Sequence, residues 1–387
     1  MKGKYVILTV FGTRPEAIKM APLIKNLLTS GEFATKVCVT AQHREMLDQV
    51  LDIFDIKPDY DLNIMKKNQT LACITKMVLE NIEKVLEHSK PDIVLVHGDT
   101  TTTFAASLAA FYAKIPVGHV EAGLRTYDKY FPFPEEMNRK LTACIADIHF
   151  APTYSNYENL LNEGINPDAI HITGNTAIDA LKTTVLDDYK FKNAVLKKLD
   201  FGKKRVITVT AHRRENLGEP LADICNALKK IAMNYDDVEI VYPVHLNPAV
   251  QKPVKDILGN TPRINLINPL QVQDMHNLMA RSYLVLTDSG GLQEEAPALG
   301  KPVLVLRNET ERPEAVKAGT VKVIGTNCER VVSETAVLLD NEAEYKKMAH
   351  SVNPYGDGRA SERIVAALRY RFGLTENRPE PFQHAAY

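Results

Sequence analysis

The sequence predicts an α/β protein built from two doubly wound, Rossmann-like parallel-sheet domains. Two observations carry this. Short, continuously apolar, β-branched runs alternate with helical spacing along the whole chain, the signature of parallel strands covered on both faces. The pattern also restarts near residue 205. At 387 residues the chain exceeds one ordinary core, so two domains are expected.

In the first half, Tyr5–Val10 reads as a strand and Glu16–Leu28 as a helix. Lys36–Thr40 and Asp92–His97 are strands, Thr103–Ala113 a helix and Val117–Glu121 a further strand. In the second half, Arg205–Thr210, Glu239–Val244, Ile264–Ile267, Tyr283–Thr287 and Pro302–Leu306 are strands with helices between them. The crossing is placed at Ile172–Thr176, giving domains of residues 1–173 and 174–357. After the breaker Asn353–Gly358, a last helix over Ser361–Phe372 is expected to rejoin the first domain with residues 358–387.

Composition excludes several function classes. The chain is 45% hydrophobic and 25% charged with a net charge of −1, so no global field draws it to nucleic acid or an anionic membrane. Five scattered cysteines without a Cys-x-x-Cys pair fit a reducing cytoplasm rather than a disulfide framework. The N-terminus lacks a signal-like apolar stretch, and no run approaches the ~20 residues of a membrane span. A soluble cytoplasmic protein is expected.

Ligands of doubly wound sheets sit at the carboxyl ends of the strands, and two such sheets facing each other would share a cleft. Thr287-Asp288-Ser289-Gly290-Gly291 passes from a strand into a helix. The two glycines let a ligand approach the backbone, and the free N–H groups of the helix start attract an anion. A capped helix with a tight entry turn would read the same way locally. Glu294 and Glu295 suit the first turn, and one of them is a candidate for two ribose hydroxyls.

Phe11-Gly12-Thr13-Arg14-Pro15-Glu16 repeats the design after the first strand. Pro15 fits the first helical position, but Arg14 and Lys19 oppose the helix dipole, a conflict that a bound phosphate would resolve. Asp99 and Glu121 each follow a strand, and Glu135-Glu136 follows Pro132-Phe133-Pro134. Converging carboxylates are candidates for acid–base work, although each alone reads as an N-cap or a solvated helix start. His212-Arg213-Arg214 after a strand offers a proton-transfer group and fork-like donors. Glu311-Arg312-Pro313-Glu314 adds a charge cluster after the Pro302–Leu306 strand. The chain has no Gly-x-Gly-x-x-Gly after the first strand, no P-loop and no metal-ligand spacing. No redox cofactor or metal is expected.

Taken together, GTRPEA at 12–17, AQHR at 41–44, HGDT at 97–100, EAGLRT at 121–126, PEE at 134–136, HRREN at 212–216 and DSGGLQEE at 288–295 resemble the bacterial-type, non-hydrolysing UDP-N-acetylglucosamine 2-epimerases. The resemblance runs from Tyr5 to about Leu368. It implies the GT-B fold, a homodimer, and reversible conversion of UDP-N-acetylglucosamine to UDP-N-acetylmannosamine for surface polysaccharides. It assigns Asp99, Glu121, Glu135 and His212 to catalysis. It assigns Arg14, Lys19, Ser289, Gly290, Gly291, Glu295 and Arg312 to substrate binding, with Leu270 and Met275 near the uracil. Gln42, His43, Gln69, Arg213 and His245 match a second, activating UDP-sugar site of some members. Glu45 and Asn68 differ from the Gln and Arg of those activated members. A GT-B glycosyltransferase, a hydrolysing 2-epimerase and a non-catalytic UDP-sugar sensor are the alternatives, separable by acceptor-free turnover and product analysis.

Overall fold

The structure is a computed structural model that describes residues 3–41, 44–64 and 69–383. Chain contacts divide it into two compact units, Met1–Thr183 with Tyr355–Gln383, and Thr184–Pro354.

The first unit holds a seven-stranded parallel sheet: β1 (Tyr5–Phe11), β2 (Phe33–Val39), β3 (Tyr60–Asp61), β4 (Ile93–His97), β5 (Val117–Val120), β6 (Ile148–Ala151) and β7 (Ile170–Ile172). Their order is β3-β2-β1-β4-β5-β6-β7, so the winding reverses between β1 and β4. Ile7 pairs with Ile93 and Val10 with Val96 across that switch. Strand alternation fills both faces: Ile7 and Phe11 enter one apolar core, Leu8 and Val10 the other. Strands β3, β6 and β7 lie outside the apolar runs of the sequence: β3 has two residues, and His149 and His171 interrupt the other two.

The second unit holds a six-stranded parallel sheet: β8 (Arg205–Thr210), β9 (Val238–Pro243), β10 (Ile264–Ile267), β11 (Leu284–Thr287), β12 (Val303–Val305) and β13 (Val321–Val323). Its order is β10-β9-β8-β11-β12-β13, with the switch between β8 and β11. Ile207, Val209, Leu284 and Leu286 face one core, and Val206 and Val241 face the other.

Helix Thr176–Thr184 stays with the first unit, so the chain leaves that unit at Thr183 rather than within Ile172–Thr176. Its buried Ala180 packs into the Ile7–Phe11 core. Its Asp179 carboxylate accepts the N–H groups of Ala360 and Ser361 at 3.1 and 2.8 Å, capping helix Ala360–Arg371. Ile364, Ala367 and Leu368 of that helix enter the same core, and Phe372 stacks on Tyr5 with ring centroids 4.2 Å apart. Among the described residues no helix is long and apolar enough to cross a membrane.

Candidate active site

In each unit several residues singled out from the sequence follow other strands, and two of the turns lie just beyond the strands that flank the topological switch, where such sheets bind ligands. In the first unit these are the turns after β1 and β4. Thr13 caps helix Arg14–Thr29, with Pro15 near its start. Glu16 is buried and accepts four hydrogen bonds. Gly12 N–H donates at 3.0 Å, Thr13 N–H at 2.7 Å, Thr100 Oγ1 at 2.6 Å and Thr103 Oγ1 at 3.1 Å. Burial pushes its carboxyl pKa upward against these donors. Gly12 has no room for a side chain: a Cβ there would stand 2.1 Å from Thr40 Oγ1 and 2.9 Å from Thr102 Oγ1. Among the described residues nothing pairs with the Arg14 guanidinium, and burial holds its pKa below the usual arginine value.

Glu121 follows β5 in the left-handed region, at φ +63°, which is uncommon for a residue with a side chain and locates strain at this strand end. Its carboxylate is ion-paired with Lys19 and lies 3.7 Å from His97 Nε2. A Cβ on Gly98 would be 3.8 Å from Glu121 Oε1, which puts this carboxylate beside the Gly98-Asp99 turn. Lys19, expected among the substrate contacts, is the cation of this ion pair. Burial drives His97 down to about 4 and His119 to about 3, so both rings are neutral near pH 7. His119 Nε2 donates to the Gly98 carbonyl at 2.7 Å.

Asp99 is held by Arg139, whose Nε and Nη2 both donate to Oδ2, at 3.0 and 2.7 Å, leaving Oδ1 outside that pair. Asn138 Nδ2 donates to the Asp99 carbonyl at 2.9 Å. Glu135 opens helix Glu135–Ile145, is partly exposed, and among the described residues makes no hydrogen bond or ion pair through its carboxylate. Its neighbour Glu136 is fully buried and structural. It accepts Thr126 N–H at 3.0 Å, Tyr127 N–H at 3.1 Å and Arg139 Nη1 at 3.2 Å.

In the second unit, Ser289 precedes helix Gly290–Ala298 without capping it by its side chain. Its own N–H is taken by Thr287 Oγ1 at 2.9 Å. A Cβ on Gly290 would lie 3.5 Å from Arg312 Nη2 and 3.8 Å from Arg213 Nη2, so two guanidinium groups flank the glycine turn. Arg312 is anchored by the buried Glu294. A helix start flanked by two guanidinium groups is the kind of donor set that an anion takes. Glu295 lies 3.6 Å from His276 Nε2, and His276 Nδ1 bonds Thr184 Oγ1 at 2.6 Å. Leu270 packs against the Phe191–Leu278 cluster, and Met275 is half-buried on helix Val272–Arg281.

His212 stands after β8, its ring stacked parallel to His245 with centroids 5.1 Å apart. Its N–H and that of Arg213 both donate to Asp288 Oδ2 at 2.7 Å. Asn216 Nδ2 adds a third bond to the same oxygen at 3.1 Å. Burial lowers the His212 pKa, and the Asp288 carboxylate partly opposes that. Of the residues matched to a second UDP-sugar site, Arg213 belongs to the glycine turn and His245 to the His212 stack. Gln69 donates to the Ile64 carbonyl at 2.9 Å, and Gln42 and His43 lie outside the described residues.

Sequence reasoning gave no role to Glu16, Arg139, His276 or Asp288. Asp288 had a legible signal, an acid as first residue after a strand. Arg139 stands three residues after Glu136, a helical ion-pair spacing. Nothing local marks His276.

Two Rossmann-like units, one with carboxylates at its switch-point strand ends and one with an arginine-flanked glycine turn, define a GT-B-like, nucleotide-sugar type of enzyme. The family model described as UDP-N-acetylglucosamine 2-epimerase matches residues 25–369. The UDP-N-acetylglucosamine 2-epimerase of Bacillus subtilis strain 168 is 57% identical over 379 residues, covering 98% of this chain and 99% of that protein. That of Escherichia coli K12 is 55% identical over 368 residues, covering 94% and 98%. The crystal structure of the Neisseria meningitidis UDP-GlcNAc 2-epimerase bound to UDP-GlcNAc is similar at a TM-score of 0.84 and 53% identity, over 94% of this chain and 99% of that one. The chain belongs to the UDP-N-acetylglucosamine 2-epimerase family.

Proposed function

We propose that this enzyme interconverts UDP-N-acetylglucosamine and UDP-N-acetylmannosamine by eliminating UDP and adding it back. Family membership supports the substrate pair. The observation that carries the chemistry is the division of labour between the units. The first holds Asp99, Glu121 and Glu135 at or beyond adjacent strand ends, and the second holds the arginine-flanked turn at Gly290.

Inverting C2 requires its C–H bond to break, yet no carbonyl adjoins that carbon. Departure of UDP from C1 builds oxocarbenium character and acidifies C2–H. A carboxylate takes the proton, giving 2-acetamidoglucal and UDP. Protonation of C2 from the opposite face, with return of the UDP oxygen to C1, gives the epimer. Asp99, Glu121 and Glu135 divide these proton transfers. Arg213, Arg312 and the first N–H groups of helix Gly290–Ala298 stabilise the diphosphate as charge develops on it. His212 meets the same leaving group, Glu295 the ribose, and Leu270 and Met275 the uracil. Arg14, a guanidinium with no described partner, contributes a further phosphate contact.

The family's role in supplying surface polysaccharide synthesis from the cytoplasm, as a homodimer, belongs to the same proposal. The exposed Phe111 and Tyr112 rings are surface that a second copy would cover.

Incubation with UDP-N-acetylglucosamine in heavy water tests the reading. The expected product is UDP-N-acetylmannosamine carrying deuterium at C2. Unlabelled epimer would overturn the elimination route, and absence of any epimer would overturn the activity.

A further inference from the structure

We propose that Asp288 is a positioning residue that fixes the His212 ring in its Nδ1–H tautomer, so that Nε2 is the nitrogen presented to the substrate. Asp288 is fully buried at the end of β11, and its N–H bonds the Thr210 carbonyl of the neighbouring β8 at 3.0 Å. Its Oδ2 accepts three donors, the His212 and Arg213 N–H groups and Asn216 Nδ2. Three bonds to one oxygen clamp the carboxylate and fix the direction of the other. Asn216 is itself held, since its Nδ2 also donates to the Leu306 carbonyl at 2.9 Å.

That other oxygen, Oδ1, is buried and has no hydrogen-bond partner among the described residues. A buried acceptor left unpaired is costly and rare, so a donor is expected to reach it. His212 Nδ1 is 3.5 Å away. Only the Nδ1–H tautomer places a proton in that gap, because the alternative sets a ring lone pair against a carboxylate lone pair. Hydrogen bonds of reacting groups are often long without ligand and shorten when it binds. A small tilt of the ring closes this one. His245, stacked 6° from parallel, limits the ring to such small movements. The His245 Nδ1 accepts the Asn247 N–H at 3.1 Å, which leaves its own proton on Nε2, so the two stacked rings carry opposite tautomers.

With Nδ1–H turned to Asp288, Nε2 accepts a proton when the ring is neutral and donates one when it is charged. A phosphate oxygen is an acceptor, so it is the charged ring that donates Nε2–H to the diphosphate. This rests on the reading that His212 meets the diphosphate, but the tautomer is a property of the free enzyme and is measured apart from turnover.

The test is ¹⁵N–¹H correlation spectroscopy of the His212 ring in the full-length enzyme near neutral pH, with and without UDP, in the wild type and in Asp288→Asn. The assignment comes from His212→Gln. In the wild type the proton is expected on Nδ1. In Asp288→Asn the amide oxygen must take the Oδ2 position to keep its three donors. Its NH₂ group then faces Nδ1, and the ring proton is expected to move to Nε2. Turnover should fall about 100-fold or more with KM changed less than threefold, in the range lost with acid–base groups. A wild-type ring protonated on Nε2 overturns the proposal without touching the epimerase reading, and remains decisive if Asp288→Asn fails to fold. An unchanged tautomer in a folded Asp288→Asn enzyme overturns it equally. Absence of C2 exchange in the wild type, with the proton on Nδ1, would instead overturn the reading of the reaction.

Discussion

The Thr100 hydroxyl donates to the Glu16 carboxylate at 2.6 Å, joining the turn after β1 to the turn after β4. One buried side chain therefore sets the spacing between the Arg14 and Asp99 segments. Glu16→Ala leaves two backbone N–H groups and the Thr100 hydroxyl without that acceptor, while Thr103 keeps the His97 carbonyl at 2.6 Å. It is expected to cost about 1–3 kcal/mol, read as a lower urea midpoint at unchanged slope.

Gly12 gives a steric test of the same region. A methyl group there would collide with Thr40 and Thr102 at 2.1 and 2.9 Å. Gly12→Ala should lose about 1–3 kcal/mol through overpacking. Gly3→Ala, with nothing within 4 Å, should be neutral to about 0.5 kcal/mol in the same unfolding measurement.

Arg139 places both of its donors on one oxygen of Asp99. Arg139→Met should lower kcat by roughly 100-fold while UDP affinity, on the proposal that Arg213, Arg312 and the Gly290 turn carry most of the diphosphate contacts, stays within about twofold. Steady-state kinetics and calorimetric titration with UDP check the two halves of this expectation. An equal loss in both would point to general unfolding instead.

Acid should weaken the first unit before the second. His97, His149 and His171 are pushed down to about 4 and His119 to about 3, each mainly by burial, and all belong to the first unit. In the unfolded chain these rings protonate near 6.5. As pH falls from about 6.5 towards 4, the unfolded state binds protons that the folded state does not. Stability present above that window is lost through it, at about 1.4 kcal/mol per pH unit for each ring. Hydrogen exchange at pH 7 and pH 5 should show protection falling further in β4–β7 than in β8–β12.

Strands β1, β4 and β11 were legible as largely apolar runs passing into glycine or acid, and β8 as a β-branched run passing into the His212-Arg213-Arg214 turn. The short ones lacked that contrast: Ile148–Ala151 carries a histidine, and Ile170–Ile172 is only three residues long. The turns after strands were legible as places where chemistry sits. Their internal wiring was not, since Asp99 with Arg139 and Glu295 with His276 join residues far apart in the chain. A spacing pattern reports neighbours on one element, whereas these pairs are set by which elements the sheets bring together. Lys19 gives another such pair, since its ammonium meets the Glu121 carboxylate at the end of a different strand.

Helix Ala360–Arg371 completes the core of the unit that contains β1. During synthesis, the unit begun first is therefore finished last. The second unit, made from one uninterrupted stretch, has all its strands out of the ribosome while Ile7, Leu23 and Leu27 still wait for Ile364 and Leu368. A nascent chain stopped before the Asp179-capped helix would carry a closed second unit beside a first unit with bare apolar surface, a ready target for chaperones and proteases.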